Sequence, residues 1–165
     1  MGLKVESAKN DQEVWFSSKS KVLREFSNFY PVSFRLEGEE WNCVEQFYQC
    51  AKFQRNSEPY FRFKAQERPG AMKGLADHYE SEIRADWTAI KMDVMRKALN
   101  AKFSQNPQLM ALYMRFATKT LIHESRRDHF WGMNRKHVGE NLLGKMIKAV
   151  CDEWLLRSLK EQEMP

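Results

Sequence analysis

The sequence predicts an α+β fold dominated by helix, built as a single domain with a small β element near its N-terminal side. Three features carry that expectation. Residues 13–41 read as extended and aromatic-rich, residues 42–116 show helical apolar spacing, and a last helical pattern follows a long polar loop. With 165 residues, 42% hydrophobic and 30% charged, the chain can bury one core and keep a solvated surface. The expected division is an N-terminal extension over 1–12, the domain over 13–157 and a C-terminal tail over 158–165.

In chain order, Val14-Trp15-Phe16 and the alternating Val32-Ser33-Phe34-Arg35-Leu36 are strand-like, with a turn at Glu37-Gly38-Glu39. Between them, Phe26-Ser27-Asn28-Phe29-Tyr30-Pro31 is too aromatic for an ordinary surface loop. Val44, Phe47, Tyr48 and Ala51 give the i, i+3, i+4, i+7 stripe of a first helix. Short helices are expected around 60–66 and 70–78, and a longer one from Asp86 through Trp87, Ile90, Val94, Ala98 and Ala101. Asn106-Pro107 reads as N-cap and first residue of the next helix. Residues 120–124 form a further strand, 125–140 a charged loop with Trp131-Gly132, and Asn141 caps a final helix.

Several chemistries are excluded. Cys43, Cys50 and Cys151 have no metal-type spacing, and Cys43 and Cys50 stand two helical turns apart, too far for a bridge; all three are read as buried thiols of a cytoplasmic protein. No metal and no cofactor is implied: the glycines match neither the phosphate-cradling nor the dinucleotide-binding pattern, and His123, His129 and His137 have no ligand spacing. No run of eighteen apolar residues exists, so no membrane partner is expected. The net charge of +5 suits a phosphorylated or otherwise anionic partner.

Glu45, Gln49 and Lys52 fall at i, i+4 and i+7, a polar stripe beside the apolar one, with Tyr48 bordering both. Two readings of Glu45 stand side by side. Asn42 followed by Glu45 is the spacing of a capping box; alternatively the carboxylate, kept ionised by the helix dipole, serves as base or cation stabiliser. Trp87 opens a helix that also projects Lys91 and Lys102, and Trp131 sits beside Asp128, the obvious second carboxylate, in the long loop. Tyr and Trp flanking a carboxylate would make a stacking slot for a flat base, whereas Trp154 is read as a core residue.

Six short motifs, in order, resemble the NADAR family of YbiA-like proteins: Phe26 to Pro31; Val44-Glu45-Gln46-Phe47-Tyr48-Gln49 with Lys52-Phe53; Asp86-Trp87 with Lys91; Met95 to Leu99 with Lys102-Phe103; Asp128 with Trp131-Gly132; and Gly139 to Gly144. The resemblance spans about 14–150. It implies hydrolysis of the N-glycosidic bond between a base and ribose phosphate in reactive early riboflavin intermediates. The alternative it leaves is removal of ADP-ribose from guanine bases, including those of nucleic acid. A binding module for ADP-ribose or nucleotides, without catalysis, is the rival of another class. The family's glutamate falls on Glu45 and its loop carboxylate and tryptophan on Asp128 and Trp131; Asn28, Tyr48, Gln49, Lys52, Trp87, Lys91, Lys102 and Asn141 are the implied substrate-binding residues. Gln46 stands where many relatives carry histidine, Cys50 where alanine is common, and Trp131-Gly132-Met133-Asn134 lacks an extra glycine, departures that bear on substrate choice.

The implied mechanism passes through an oxocarbenium-like sugar. A carboxylate beneath the anomeric carbon stabilises its charge and orients water, while Asp128, Lys52 or a backbone group helps the base depart. The oligomeric state is not legible in the sequence.

Overall fold

The computed structural model describes residues 12–164. The expected extension over 1–12 therefore lies, apart from Gln12, outside the described residues. Among the described residues, two small sheets and six α-helices surround one aromatic core. Strand β1 (Glu13–Phe16) pairs in parallel with β4 (Thr120–His123), placing Val14 opposite Leu121 and Phe16 opposite His123. Strands β2 (Phe34–Leu36) and β3 (Glu39–Trp41) form an antiparallel hairpin around the expected turn.

The helices are α1 (Val44–Cys50), α2 (Glu58–Lys64), α3 (Met72–His78), α4 (Trp87–Ser104), α5 (Pro107–Met114) and α6 (Leu142–Glu163). The long helix α4 is the axis. It carries Val94, Met95, Ala98, Leu99 and Phe103 into the core and packs against α1, α5, α6 and β2. Helix α6 runs through position 158 to Glu163, so the expected tail is helix, and Trp154 is half-buried on it instead of lying in the core. The α+β architecture dominated by helix agrees with the sequence expectation.

Asn106 and Asn141 stand at the expected N-cap positions, but neither side chain caps its helix. Asn106 precedes α5, but its side chain donates to the carbonyls of Ser33 (3.1 Å) and Lys102 (2.8 Å), tying α4 to the hairpin. Asn141, in a left-handed conformation before α6, does not cap it with its side chain: Oδ1 accepts the His123 N–H at 2.9 Å and Nδ2 donates to Leu121 O at 2.9 Å. The amide thus satisfies the side of β4 that β1 does not cover, which matters for a strand paired on one edge only. No helix among the described residues is long and apolar enough to cross a membrane.

Candidate active site

Helix α1 begins after Cys43, and its first turn is closed by a residue other than Glu45. Gln46 Oε1 accepts the Asn42 N–H at 2.9 Å, while Gln46 Nε2 donates to Lys64 O at 2.7 Å. This takes over the reach-back expected of Glu45 and overturns the capping-box reading. The Glu45 side chain is left to face a cavity of about 360 Å³, together with Tyr48, Gln49 and Lys52 of α1.

The other walls come from three separate parts of the chain. Asn28 and Phe29 enter from the aromatic loop, Lys91 and Met95 from α4, and His123, Asp128, Phe130 and Trp131 from β4 and the loop after it. Each segment is held by its own hydrogen bonds. The Glu45 N–H donates to Asn28 O at 3.0 Å, which locks the aromatic loop to the start of α1. Asp128 Oδ1 accepts the N–H groups of Phe130 (3.0 Å) and Trp131 (2.9 Å), so this carboxylate shapes the turn that presents Trp131. Gly132 follows, where a Cβ would come within 2.9 Å of His123 O and 2.8 Å of the Ser125 Cβ; only glycine lets the loop lie this close to β4.

Burial sets the electrostatics. Glu45 lies half-buried, with one oxygen accepting from Gln49 Nε2 at 2.7 Å. Loss of hydration pushes its carboxyl above the usual carboxylate range. The Gln49 hydrogen bond and the charge of Lys52 oppose this only in part, and Asp128 adds to it. The lowering expected from the helix dipole is outweighed by desolvation: α1 has only 7 residues, and so short a dipole does not offset the lost hydration. Lys52 is pushed down, first by burial and then by Lys91, against the pull of Glu45. The two opposite charges therefore lose more hydration than their attraction restores. Burial lowers the His123 imidazole as well, which favours its neutral form, and its Nδ1 lacks a partner among the described residues.

Of the residues singled out in the sequence, Asn28, Glu45, Tyr48, Gln49, Lys52, Lys91, Asp128 and Trp131 line this cavity. Trp87 stands behind it, its ring edge-on to Tyr48 with centroids 4.9 Å apart and 5.8 Å from the Lys52 ammonium. Two do not line it. Lys102 points into the core, fully buried, with Nζ donating to Ser27 O at 2.9 Å. From its position on α4 it can reach only the underside of the aromatic loop. Asn141 is consumed by the strand contacts described above. Gln46 and Cys50 turn from the cavity toward α2, where the Cys50 thiol meets Tyr60 O at 3.5 Å, so these two departures do not touch a ligand there.

His123, Phe29, Phe130 and Met95 line the cavity without having been singled out as site residues. For His123 a signal existed: it ends a strand just before the loop that carries Asp128 and Trp131. A wider groove of about 860 Å³ lies on the opposite face of α1, over Trp41, Phe47 and Phe53. Several of its rim charges are paired, Arg84 with Asp86 at 2.6 Å and Lys97 with Glu37 at 3.3 Å. It is larger but holds none of the expected site residues. Among the described residues no three His, Cys, Asp or Glu side chains gather closely enough to hold a metal ion.

Comparison with known proteins bears on this arrangement directly. The model of the NADAR domain matches residues 9–154. The chain belongs to the NADAR family. Among its NADAR relatives, the protein called N-glycosidase YbiA of Escherichia coli is 29% identical over 161 residues, covering 96% of this chain and 93% of that protein. The maize chloroplastic riboflavin biosynthesis protein PYRR is 33% identical over 148 residues, which is 81% of this chain and 24% of the maize protein. The NMR structure of Escherichia coli YbiA superposes with a TM-score of 0.77 at 26% identity, covering 94% of this chain and 92% of that one. The cavity described above is thus built on a NADAR fold.

Proposed function

We propose that this chain is an N-glycosidase that hydrolyses the bond between a base and ribose phosphate, with early riboflavin-pathway intermediates as its substrates. The names of its relatives, N-glycosidase and riboflavin biosynthesis protein, support the reaction and the pathway. The observation that carries the chemistry is a poorly hydrated carboxylate, Glu45, sharing one small cavity with Lys52, Lys91 and a wall of aromatic rings.

In this reading the flat base lies against Phe29, Phe130 and Trp131, and Lys52 and Lys91 take the phosphate. Glu45 stands beneath the anomeric carbon. Its raised pKa makes it a better proton acceptor for the attacking water than an ordinary surface carboxylate, and once ionised it stabilises the positive charge that builds on the sugar. Asp128 contributes mainly by holding the loop, with its charge disfavouring a second anion nearby. A cavity of about 360 Å³ lies at the small end of ligand sites, about 300–1,000 Å³. That size favours a single base with its ribose over an ADP-ribosyl guanine. Three buried thiols, Cys43, Cys50 and Cys151, favour a reducing cytoplasmic setting.

The test is release of free base from the ribosylated aminopyrimidine phosphate, with ADP-ribosylated guanosine run in parallel. Wild type should release base from the first. Glu45→Gln should fold normally and lose about 10²–10⁴-fold in kcat. Full activity in a folded Glu45→Gln variant would refute the role of Glu45, and binding without release would leave only a nucleotide-binding module.

A further inference from the structure

The Tyr48 ring stands on α1 three residues after Glu45, wedged edge-on between two tryptophans. Its centroid lies 4.9 Å from Trp87 at an interplanar angle of 66°, and 5.8 Å from Trp131 at 89°. With Lys52 also over its ring at 5.5 Å, Tyr48 is more constrained as a stacking surface than the sequence suggested. Its functional atom is the hydroxyl.

Trp131 Nε1 lies 3.1 Å from Tyr48 Oη. An indole N–H can only donate, so the phenolic oxygen is the acceptor here and its own proton must point elsewhere. Burial lifts the hydroxyl pKa to about 12, with Glu45 and Asp128 adding to the rise, so the group keeps its proton throughout the working range. No acceptor among the described residues takes that proton, and the space Tyr48 shares with Glu45 and Lys52 is the cavity. A protonated hydroxyl with its lone-pair side occupied by an indole is a one-way donor, fixed in direction before any ligand arrives.

We propose that the Tyr48 hydroxyl, aimed by Trp131, donates a hydrogen bond to the departing base at the nitrogen that receives the bonding electrons, and that Trp131 is the positioning residue for this donor. The inference rests on the N-glycosidase reading above. When the C–N bond breaks, its electron pair moves onto the base nitrogen while a water oxygen bonds to the anomeric carbon. One water proton passes to Glu45 and from there to the freed base, so that Tyr48 retains its own. The donor therefore acts on charge that exists only as the bond breaks, which is the condition for raising kcat without changing KM. Phe130 and Trp131 beside it give the base its wall, with the Lys91 ammonium 3.9 Å from the Phe130 ring and the Lys52 ammonium 5.5 Å from the Tyr48 ring to take the phosphate close by.

The experiment compares wild type, Tyr48→Phe, Trp131→Phe and the double variant on the ribosylated aminopyrimidine phosphate, with thermal melts to establish folding. Tyr48→Phe should lower kcat about 10²–10³-fold with KM within a few-fold. Trp131→Phe, which keeps an aromatic face for the base, should lower kcat by a smaller factor, and adding it to Tyr48→Phe should cost nothing more in kcat, because the group it aims is gone. A substrate with a more electron-poor base, which departs without help, should suffer less from Tyr48→Phe. Retained kcat in Tyr48→Phe, a loss confined to KM, or losses that multiply in the double variant would each overturn the proposal. Should Trp131→Phe fail to fold, the dependence of the Tyr48→Phe loss on the leaving base decides alone. If wild type itself releases no base, the N-glycosidase reading fails; release that survives Tyr48→Phe sinks only the role of Tyr48.

Discussion

Replacing Lys102 with methionine should make this protein more stable at neutral pH. The side chain is fully buried on α4 and makes one hydrogen bond, to Ser27 O at 2.9 Å. Burial pushes its ammonium down from 10.5 to about 7, and the nearby Cys43, Cys151 and Glu25 restore little. At about 1.36 kcal/mol per pKa unit, that difference disfavours the charged form in the folded protein by roughly 4–5 kcal/mol, and at pH 7 roughly 4 of it is felt. Methionine matches the stem and carries no charge. The substitution removes a hydrogen bond worth about 1–2 kcal/mol, but Ser27 O keeps the Tyr30 N–H at 3.1 Å and is not orphaned. The net gain is about 2–3 kcal/mol, or a rise in Tm of roughly 5–10 °C for a chain of this size.

The pH dependence supplies the sharper check. Because the folded pKa lies below the unfolded one, the unfolded chain binds more protons between pH 7 and 10.5. The penalty in wild type is therefore complete below pH 7 and fades as pH rises to 10.5. Urea unfolding of both proteins across that range should show the advantage of Lys102→Met shrinking steadily toward alkaline pH. A variant less stable than wild type at pH 7, or an advantage that does not change with pH, would refute the reasoning.

Other expectations concern the frame of the site. Asn141→Ala strips the His123 N–H and Leu121 O of their side-chain partner and should cost about 2–4 kcal/mol in urea unfolding, with β4 exchanging its amide protons faster. Gly144→Ala would drive a methyl onto the Leu121 carbonyl oxygen where α6 crosses β4, and a loss of about 3 kcal/mol or more is expected by thermal melt. For Glu45→Gln the stability effect opposes the activity effect. Since burial raises the folded pKa, ionisation weakens the folded state as pH climbs through the raised value, so the glutamine variant should gain on wild type at neutral pH and lose that gain in acid.

What the chain order of residues determined by itself is local. The apolar stripe of α1, the periodicity of α4 and α6, the hairpin turn at Gly38 and the polar stripe of Glu45, Gln49 and Lys52 all follow from spacing, because helix and strand repeat over a few residues. What only the tertiary structure decided is which polar side chains face the cavity. Lys102 and Lys91 look alike on one helix, yet α4 is buried at one turn and open to the cavity at the other, so one lysine became a core strut and the other a site residue. Asn141 and Glu45 both looked like caps, and each was freed of that task by contacts from elsewhere, Asn141 by the open side of β4 and Glu45 by Gln46. Tyr48 acquires its direction from a partner 83 positions away in sequence, the Trp131 indole, and the strand that carries His123 is held by the Asn141 amide 18 positions on. Desolvation is the physical reason. The protonation of Glu45, Lys52 and His123 depends on how much water the whole fold excludes, and no local pattern records that quantity.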